Sequence, residues 1–191
     1  MPITPDKAPR QYKSIKKSIP KGLIIVHTGS GEGKSTAAFG TAVRALGWGH
    51  KVGIVQFIKG PWKTGEVEFL RKFPDQCTIC SLGKGFTWIT RSFKEDVRMA
   101  QQAWEKCCAM LHDDKYSLVI FDEINYVIKY NFLDVKEVLR ALKHKPPLKH
   151  VMLTGNGAPK ALIRIADRVT EMKCIKHPFQ KGINAQPGID Y

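Results

Sequence analysis

No stretch of this sequence approaches the roughly 18 consecutive apolar residues that a membrane helix requires. Its first residues mix lysine, proline and glutamine without a hydrophobic signal segment. Both absences predict a soluble, cytoplasmic protein with no membrane partner. Cysteine is scarce and odd in number, five in 191 residues, with Cys107 and Cys108 adjacent; that argues against a secreted disulfide framework and fits a reducing compartment. Acidic residues are also few, 17 against 31 lysines and arginines, which leaves a formal net charge of +14. Internal repeats and low-complexity tracts are missing as well.

The excess positive charge is unevenly placed, and its placement matters more than its sum. Lys7, Arg10, Lys13, Lys16, Lys17 and Lys21 face only Asp6 in the first 21 residues. This reads as a basic N-terminal arm over residues 1–21, ahead of one domain over residues 22–191, because 43% hydrophobic positions supply one full core and not two. Nucleic acid is one partner such charge would suit. A polyphosphate substrate together with an acidic protein is another.

Strand and helix patterns alternate along the chain. Short aliphatic runs at Leu23–Val26, Val52–Phe57, Cys77–Leu82, Leu118–Phe121, Val151–Leu153 and Val169–Met172 suit strands buried in a parallel sheet. Between them, Lys34–Leu46 reads as a helix ending at Gly47, Val67–Phe73 as a short helix, and Pro159–Ala166 as another. Ser92 with Glu95 spells a capping box ahead of a long helix whose apolar stripe is Val97, Ala100, Trp104, Cys108 and Leu111. Asp134 and Glu137 cap a helix to about Leu142, stopped by Pro146 and Pro147. The expected fold is α/β: a P-loop, RecA-like, three-layer domain with a mostly parallel central sheet and helices on both faces.

The strongest chemical signal is Thr28-Gly29-Ser30-Gly31-Glu32-Gly33-Lys34-Ser35-Thr36, set between the first strand and the first helix. Glycines let backbone N–H groups turn inward around phosphate oxygens, and the helix N-terminus adds partial positive charge. Lys34 supplies a full charge, and Ser35 can ligate a metal. Gly29 to Thr36 are therefore the candidate ATP-binding residues. The usual motif places four residues between its first glycine and the Gly-Lys pair; here Gly29 and Gly33 enclose only three. A shorter loop offers a different set of N–H groups, so the phosphate chain should sit in another register. Asp122 and Glu123, at the end of a buried strand, supply the oxygens that magnesium favours beside phosphates.

At this point the sequence resembles the P-loop ATP:corrinoid adenosyltransferases, from about Lys21 to Tyr191. The shared blocks are the shortened loop through Gly40, Val55–Gly60, Gly85–Trp88, Asp122 with Glu123, Ala166–Met172, Lys176–Phe179 and Ala185–Tyr191. The resemblance implies that cob(I) of a reduced corrinoid attacks the 5′ carbon of ATP and expels triphosphate, in adenosylcobalamin biosynthesis or salvage. It implies Mg2+, with Mn2+ able to replace it, held by Ser35 and Glu123 with Asp122 behind them. Catalytic Lys34 neutralises the leaving triphosphate, Arg44 contacts the nucleotide, and no acid or base is needed. Phe86 and Trp88 are implied as the corrinoid-binding pair that wedges under the ring and displaces the lower ligand of cob(II), bringing reduction within reach. A homodimer, an acidic electron donor such as a flavodoxin, and no nucleic-acid partner are implied too. The chain departs from the family at Asn156, where many relatives carry arginine, and at Glu32, an acid inside the phosphate loop.

Without that resemblance Phe86 and Trp88 read as core aromatics. The Cys77–Cys80 pair has redox spacing but lies in a strand pattern, and the remaining cysteines complete no zinc site. His27 and His177 flank ligand blocks without a partner that fixes a role. The alternatives are a basic P-loop ATPase or kinase acting on nucleic acid, and a module that binds corrinoid or ATP without turnover.

Overall fold

The computed structural model describes residues 19–58, 63–82 and 92–191. Most of the basic arm, and the expected corrinoid residues Phe86 and Trp88, lie outside the described residues. Strands β1 (Ile24–Thr28), β2 (Val52–Gln56), β3 (Cys77–Ser81), β4 (Leu118–Asp122), β5 (His150–Thr154) and β6 (Arg168–Glu171) form one six-stranded sheet, ordered β3-β2-β4-β5-β1-β6. Every pairing is parallel, so the sheet is parallel throughout. Parallel neighbours cannot be joined by a tight turn. Helices α1 (Lys34–Gly47), α2 (Gly65–Leu70), α3 (Phe93–His112), α4 (Ile124–Lys129), α5 (Val135–Lys143) and α6 (Lys160–Ile165) lie between the strands.

Side chains alternate across a strand, so each buried strand feeds two cores. Ile25, Val52, Ile54, Leu118, Ile120 and Met152 pack with Ala38, Phe39 and Ala42 of α1 and Val67 and Leu70 of α2. The intervening residues Val26, Val55, Val119, Phe121, Val151 and Leu153 pack on the opposite face with α3, α4, α5 and α6. This two-sided burial explains the unbroken aliphatic runs. At Gly53 a Cβ would come within 2.9 Å of Met110 Sδ, so the Met110 side chain lies directly over the sheet there.

Several local expectations need adjustment. Helix α1 does end at Gly47, but the left-handed residue that follows is Gly49, at φ 76°. Ser92 is the N-cap of α3, but its side chain makes no capping hydrogen bond. Asp134 does cap α5, accepting from the Lys136 amide at 2.8 Å. On α3 the fully buried thiol is Cys107, and Cys108 is only partly covered. Helix α4 and a 3-10 turn at Pro178–Lys181 were not anticipated. The α4 sequence, Ile-Asn-Tyr-Val-Ile-Lys, is dominated by β-branched and aromatic residues and is too short to display a helical period.

Lys21 pairs with Asp167, whose carboxylate also accepts from the Ile24 amide at 2.8 Å. Lys21, the last residue of the expected arm, is thus paired with the residue just ahead of β6.

Candidate active site

The last residues of the six strands are Thr28, Gln56, Ser81, Asp122, Thr154 and Glu171. All six are polar, although the strands behind them are mostly aliphatic. In an open parallel sheet, ligands bind at this carboxyl edge, where the strand order reverses and the connections part. Strand β5 lies between β1 and β4, so the loop after β1 and the acids ending β4 flank one strand end.

The loop after β1 turns on Gly29, at φ 100°, and Gly33, at φ 90°, conformations that a side chain would strain. It is fastened to the chain leaving β6. The Gly31 amide donates to the Met172 carbonyl at 2.7 Å, and the Met172 amide donates to Thr28 at 2.8 Å. A Cβ on Gly29 would lie 2.3 Å from that same Met172 oxygen. Of the candidate cradle donors, the Gly31 N–H is therefore already used. The first intrahelical bond of α1 runs from Ala37 to Gly33 at 2.8 Å, which leaves the Lys34, Ser35 and Thr36 amides ahead of it, pointing out of the helix N-terminus. Lys34 Nζ folds back onto the Gly31 carbonyl, so its ammonium lies over the cradle.

His27 is buried at the end of β1 and its Nδ1 lies 3.3 Å from the Lys34 carbonyl. Burial holds its pKa below the ordinary value, opposed by that hydrogen bond and assisted by Arg168. A neutral ring donating from Nδ1 ties the strand to the first turn of α1. His177 also acquires a partner: its Nε2 lies 2.9 Å from Glu32 Oε1, while its Nδ1 accepts from the Phe179 amide at 3.1 Å. Glu32 thus leans away from the cradle toward the C-terminal segment, with its side chain 67% exposed. Ser30 and Thr36 are exposed at the rim.

Arg44 is not brought to this loop. It lies in the last turn of α1, ten residues beyond Lys34 and so about 15 Å along the helix. There it lines a separate cleft of about 440 Å3 with Trp48, His50 and His150, near the starts of the strands.

Asp122 is fully buried and is the hub of the site. Its Oδ1 accepts from Ser35 Oγ and from Thr154 Oγ1, both at 2.7 Å, and its Oδ2 accepts from Gln56 Nε2 at 3.0 Å. Gln56 in turn accepts from Ser81 Oγ at 2.8 Å. Side chains from four strand ends and the phosphate loop are therefore joined in one network. Gln56, Ser81 and Thr154 were missed as site residues; the signal that could have found them was a polar residue closing an aliphatic strand run.

Glu123 follows with φ 68°, a left-handed conformation that costs a residue with a Cβ about 1 kcal/mol. Its amide donates to Thr154 Oγ1 at 2.9 Å. Asn125, wholly buried, donates from Nδ2 to Gly155 at 2.8 Å and toward His27 at 3.4 Å, which ties α4 to the ends of β5 and β1. Gly155 is at φ 119°, with Asn125 Cβ 3.1 Å from where its own Cβ would be. Asn156 therefore lies in a turn held from below.

This donor set fits magnesium. The Ser35 hydroxyl commits its one hydrogen to Asp122 and so keeps both lone pairs for a cation. Among the described residues no three His, Cys, Asp or Glu side chains form a metal cage. The thiols offer nothing comparable. Burial pushes the Cys77 thiol up to about 11 and raises Cys107 well above its ordinary value, so neither is a reactive thiolate. Cys77 and Cys80, three apart on β3, project to opposite faces.

An all-parallel sheet with a glycine loop running into α1 and a buried carboxylate bonded to the loop serine defines a P-loop α/β protein. Residues 20–191 match the family described as ATP:corrinoid adenosyltransferase BtuR/CobO/CobP, and the chain belongs to that family. It is 48% identical over 193 residues to a corrinoid adenosyltransferase of Sinorhizobium sp, covering 100% of this chain and 90% of that one. It is 44% identical over 171 residues to a corrinoid adenosyltransferase of Pseudomonas aeruginosa, covering 90% and 84%, respectively. The corrinoid adenosyltransferase of Escherichia coli (strain K12) is 43% identical over 171 residues, covering 90% of this chain and 86% of its own. Family membership leaves the nucleic-acid ATPase reading without support. Among the described residues, no helix is long and apolar enough to cross a membrane.

Proposed function

We propose that this chain transfers the 5′-deoxyadenosyl group of ATP to the cobalt of a reduced corrinoid and releases triphosphate, with the short loop Gly29–Ser35 holding the phosphates. The observation that carries the proposal is the Ser35–Asp122 hydrogen bond at 2.7 Å, which puts the short cradle and the acidic strand end in one site. The cobalt lone pair forms the cobalt–carbon bond as the bond from C5′ to oxygen breaks, and its electrons leave on triphosphate. The nucleophile carries no proton and the leaving group is already ionised. Positioning and charge neutralisation are then what the protein must supply.

Lys34 and the amides of Lys34, Ser35 and Thr36 receive phosphate oxygens, the ammonium exchanging the Gly31 carbonyl for the substrate. Mg2+, or Mn2+ in its place, would be held by Ser35 and Glu123 with Asp122 behind them, and supplies positive charge to the leaving triphosphate. With the Gly31 amide committed to Met172, the loop offers the phosphates a set of N–H groups that leaves this one out. That set supports a nucleotide held with its sugar carbon toward the corrinoid. Phe86 and Trp88 are proposed to bind the corrin ring, and Arg44 to contact the nucleotide. We place the enzyme in the cytoplasm as a homodimer, served by an acidic electron donor that its basic surface attracts.

The test is incubation with ATP, Mg2+ and cob(I)alamin. Triphosphate and a light-sensitive alkyl cobalamin are expected in equal amounts; orthophosphate as the product would overturn the proposal. Phe86→Ala with Trp88→Ala should cripple turnover from cob(II) but largely spare turnover from cob(I), and equal losses would remove the wedge role.

A further inference from the structure

We propose that Gln56 is a positioning residue for the metal-binding half of this site, acting through Asp122. The inference rests on the reading that Ser35 and Asp122 serve a divalent cation. Gln56 ends β2 directly beside Asp122 in the parallel register and is 2% exposed. A primary amide buried in such a place is costly unless both its ends are paired. Here both are: Nε2 donates to Asp122 Oδ2 at 3.0 Å, and Oε1 accepts from Ser81 Oγ at 2.8 Å.

The two bonds define a direction. A carboxylate only accepts, so the amide must present its NH2 group to Asp122, and the Ser81 hydroxyl holds it that way by donating to the other end. The terminal torsion of an aspartate is soft. With Oδ2 fixed from β2, Oδ1 is held facing Ser35 and Thr154, at 2.7 Å from each hydroxyl. The Ser35 hydrogen then has a fixed acceptor and its lone pairs a fixed outlook. Partners behind a metal ligand typically set its affinity by about 10- to 100-fold. Gln56 touches neither phosphate nor cation in this arrangement; its effect reaches the cation through two hydrogen bonds.

The experiment measures ATP binding calorimetrically across a Mg2+ titration and again in excess chelator, for wild type and for Gln56→Leu, Gln56→Met and Ser81→Ala. The first two should raise the Mg2+ concentration at half effect about tenfold, with metal-free ATP affinity unchanged. Ser81→Ala should raise it by less than either, because it frees the amide to turn without deleting it. At saturating Mg2+, kcat should return close to wild type while the KM for ATP at low Mg2+ stays high. Ser35→Ala and Asp122→Asn serve as references. An unmoved Mg2+ midpoint in Gln56→Leu and Gln56→Met, with both references shifted, overturns the role of Gln56 alone. Equal loss of ATP affinity with and without metal would also overturn it, since that is what damage to the fold produces. If the references do not shift either, the cation reading fails and takes the Gln56 role with it.

Discussion

The Gly31 amide donates to the Met172 carbonyl at 2.7 Å, so the phosphate loop is laced to the chain leaving the edge strand β6. The two backbones approach closely enough to leave no room for a side chain: a Cβ on Gly31 would lie 2.7 Å from the Lys173 carbonyl carbon and 3.0 Å from the Cys174 amide.

Gly31→Ala is therefore expected to separate loop from strand. Steric overlap with backbone, which cannot rotate away, should cost about 2 kcal/mol of stability, and the displaced cradle should bind ATP at least tenfold more weakly. Denaturant midpoints and ATP calorimetry check this together. A stable variant with unchanged ATP affinity would show that the lacing is incidental.

The pairing of His177 with Glu32 makes a different prediction. Because the His177 Nδ1 accepts from the Phe179 amide, the ring hydrogen sits on Nε2 and is donated to Glu32. His177→Ala should free Glu32 to approach the phosphates, and a unit charge several ångströms away in water costs about 0.6 kcal/mol, or roughly threefold in ATP affinity. The loss should shrink at high salt and vanish in the double variant with Glu32→Gln. The exposed pair itself adds little stability, so any drop should come from the lost cap on the Phe179 amide, about 0.5–1 kcal/mol.

The sheet, its parallel order and the phosphate loop were legible in the sequence because each depends on local pattern: aliphatic runs for strands buried on both faces, and glycines for left-handed turns. The network around Asp122 was not. Gln56, Ser81 and Thr154 come from strands far apart in the chain, and only the register of the sheet brings them together. The placement of Arg44 was not legible either. Ten helical residues carry it to the far end of α1, which a resemblance in sequence alone does not reveal. The Ser92–Glu95 spacing suggests a capping box, but the Ser92 side chain makes no capping hydrogen bond, whereas Asp134 does cap.

His27 gives the protein a pH response whose sign follows from its lowered pKa. The unfolded chain takes up the proton first, near pH 6.5, so the folded state is relatively favoured above that value and loses ground as pH falls toward the folded pKa. The urea midpoint should drop between about pH 7.5 and 5.5. His27→Asn retains an N–H donor for the Lys34 carbonyl but does not titrate, and its curve should be flatter. Some slope should persist, because burial also lowers the pKa of His150, aided by Lys145 and His50. Identical slopes for the two proteins would remove His27 from the account.

Thr154 carries two duties with one oxygen: it donates to Asp122 Oδ1 at 2.7 Å and accepts from the Glu123 amide at 2.9 Å. Thr154→Val keeps the shape but leaves a buried carboxylate short of one donor and the Glu123 N–H without its acceptor. A loss of about 2 kcal/mol follows from the unsatisfied groups. Releasing that amide also removes the bond that helps hold Glu123 at φ 68°, so its carboxylate should no longer be aimed reproducibly. The expected signature is a lower thermal midpoint together with a higher Mg2+ requirement for turnover, and Thr154→Ser, which retains the hydroxyl, should restore both. A valine variant that lost stability yet kept the wild-type Mg2+ response would confine Thr154 to holding the fold and separate it from the chemistry of the strand end.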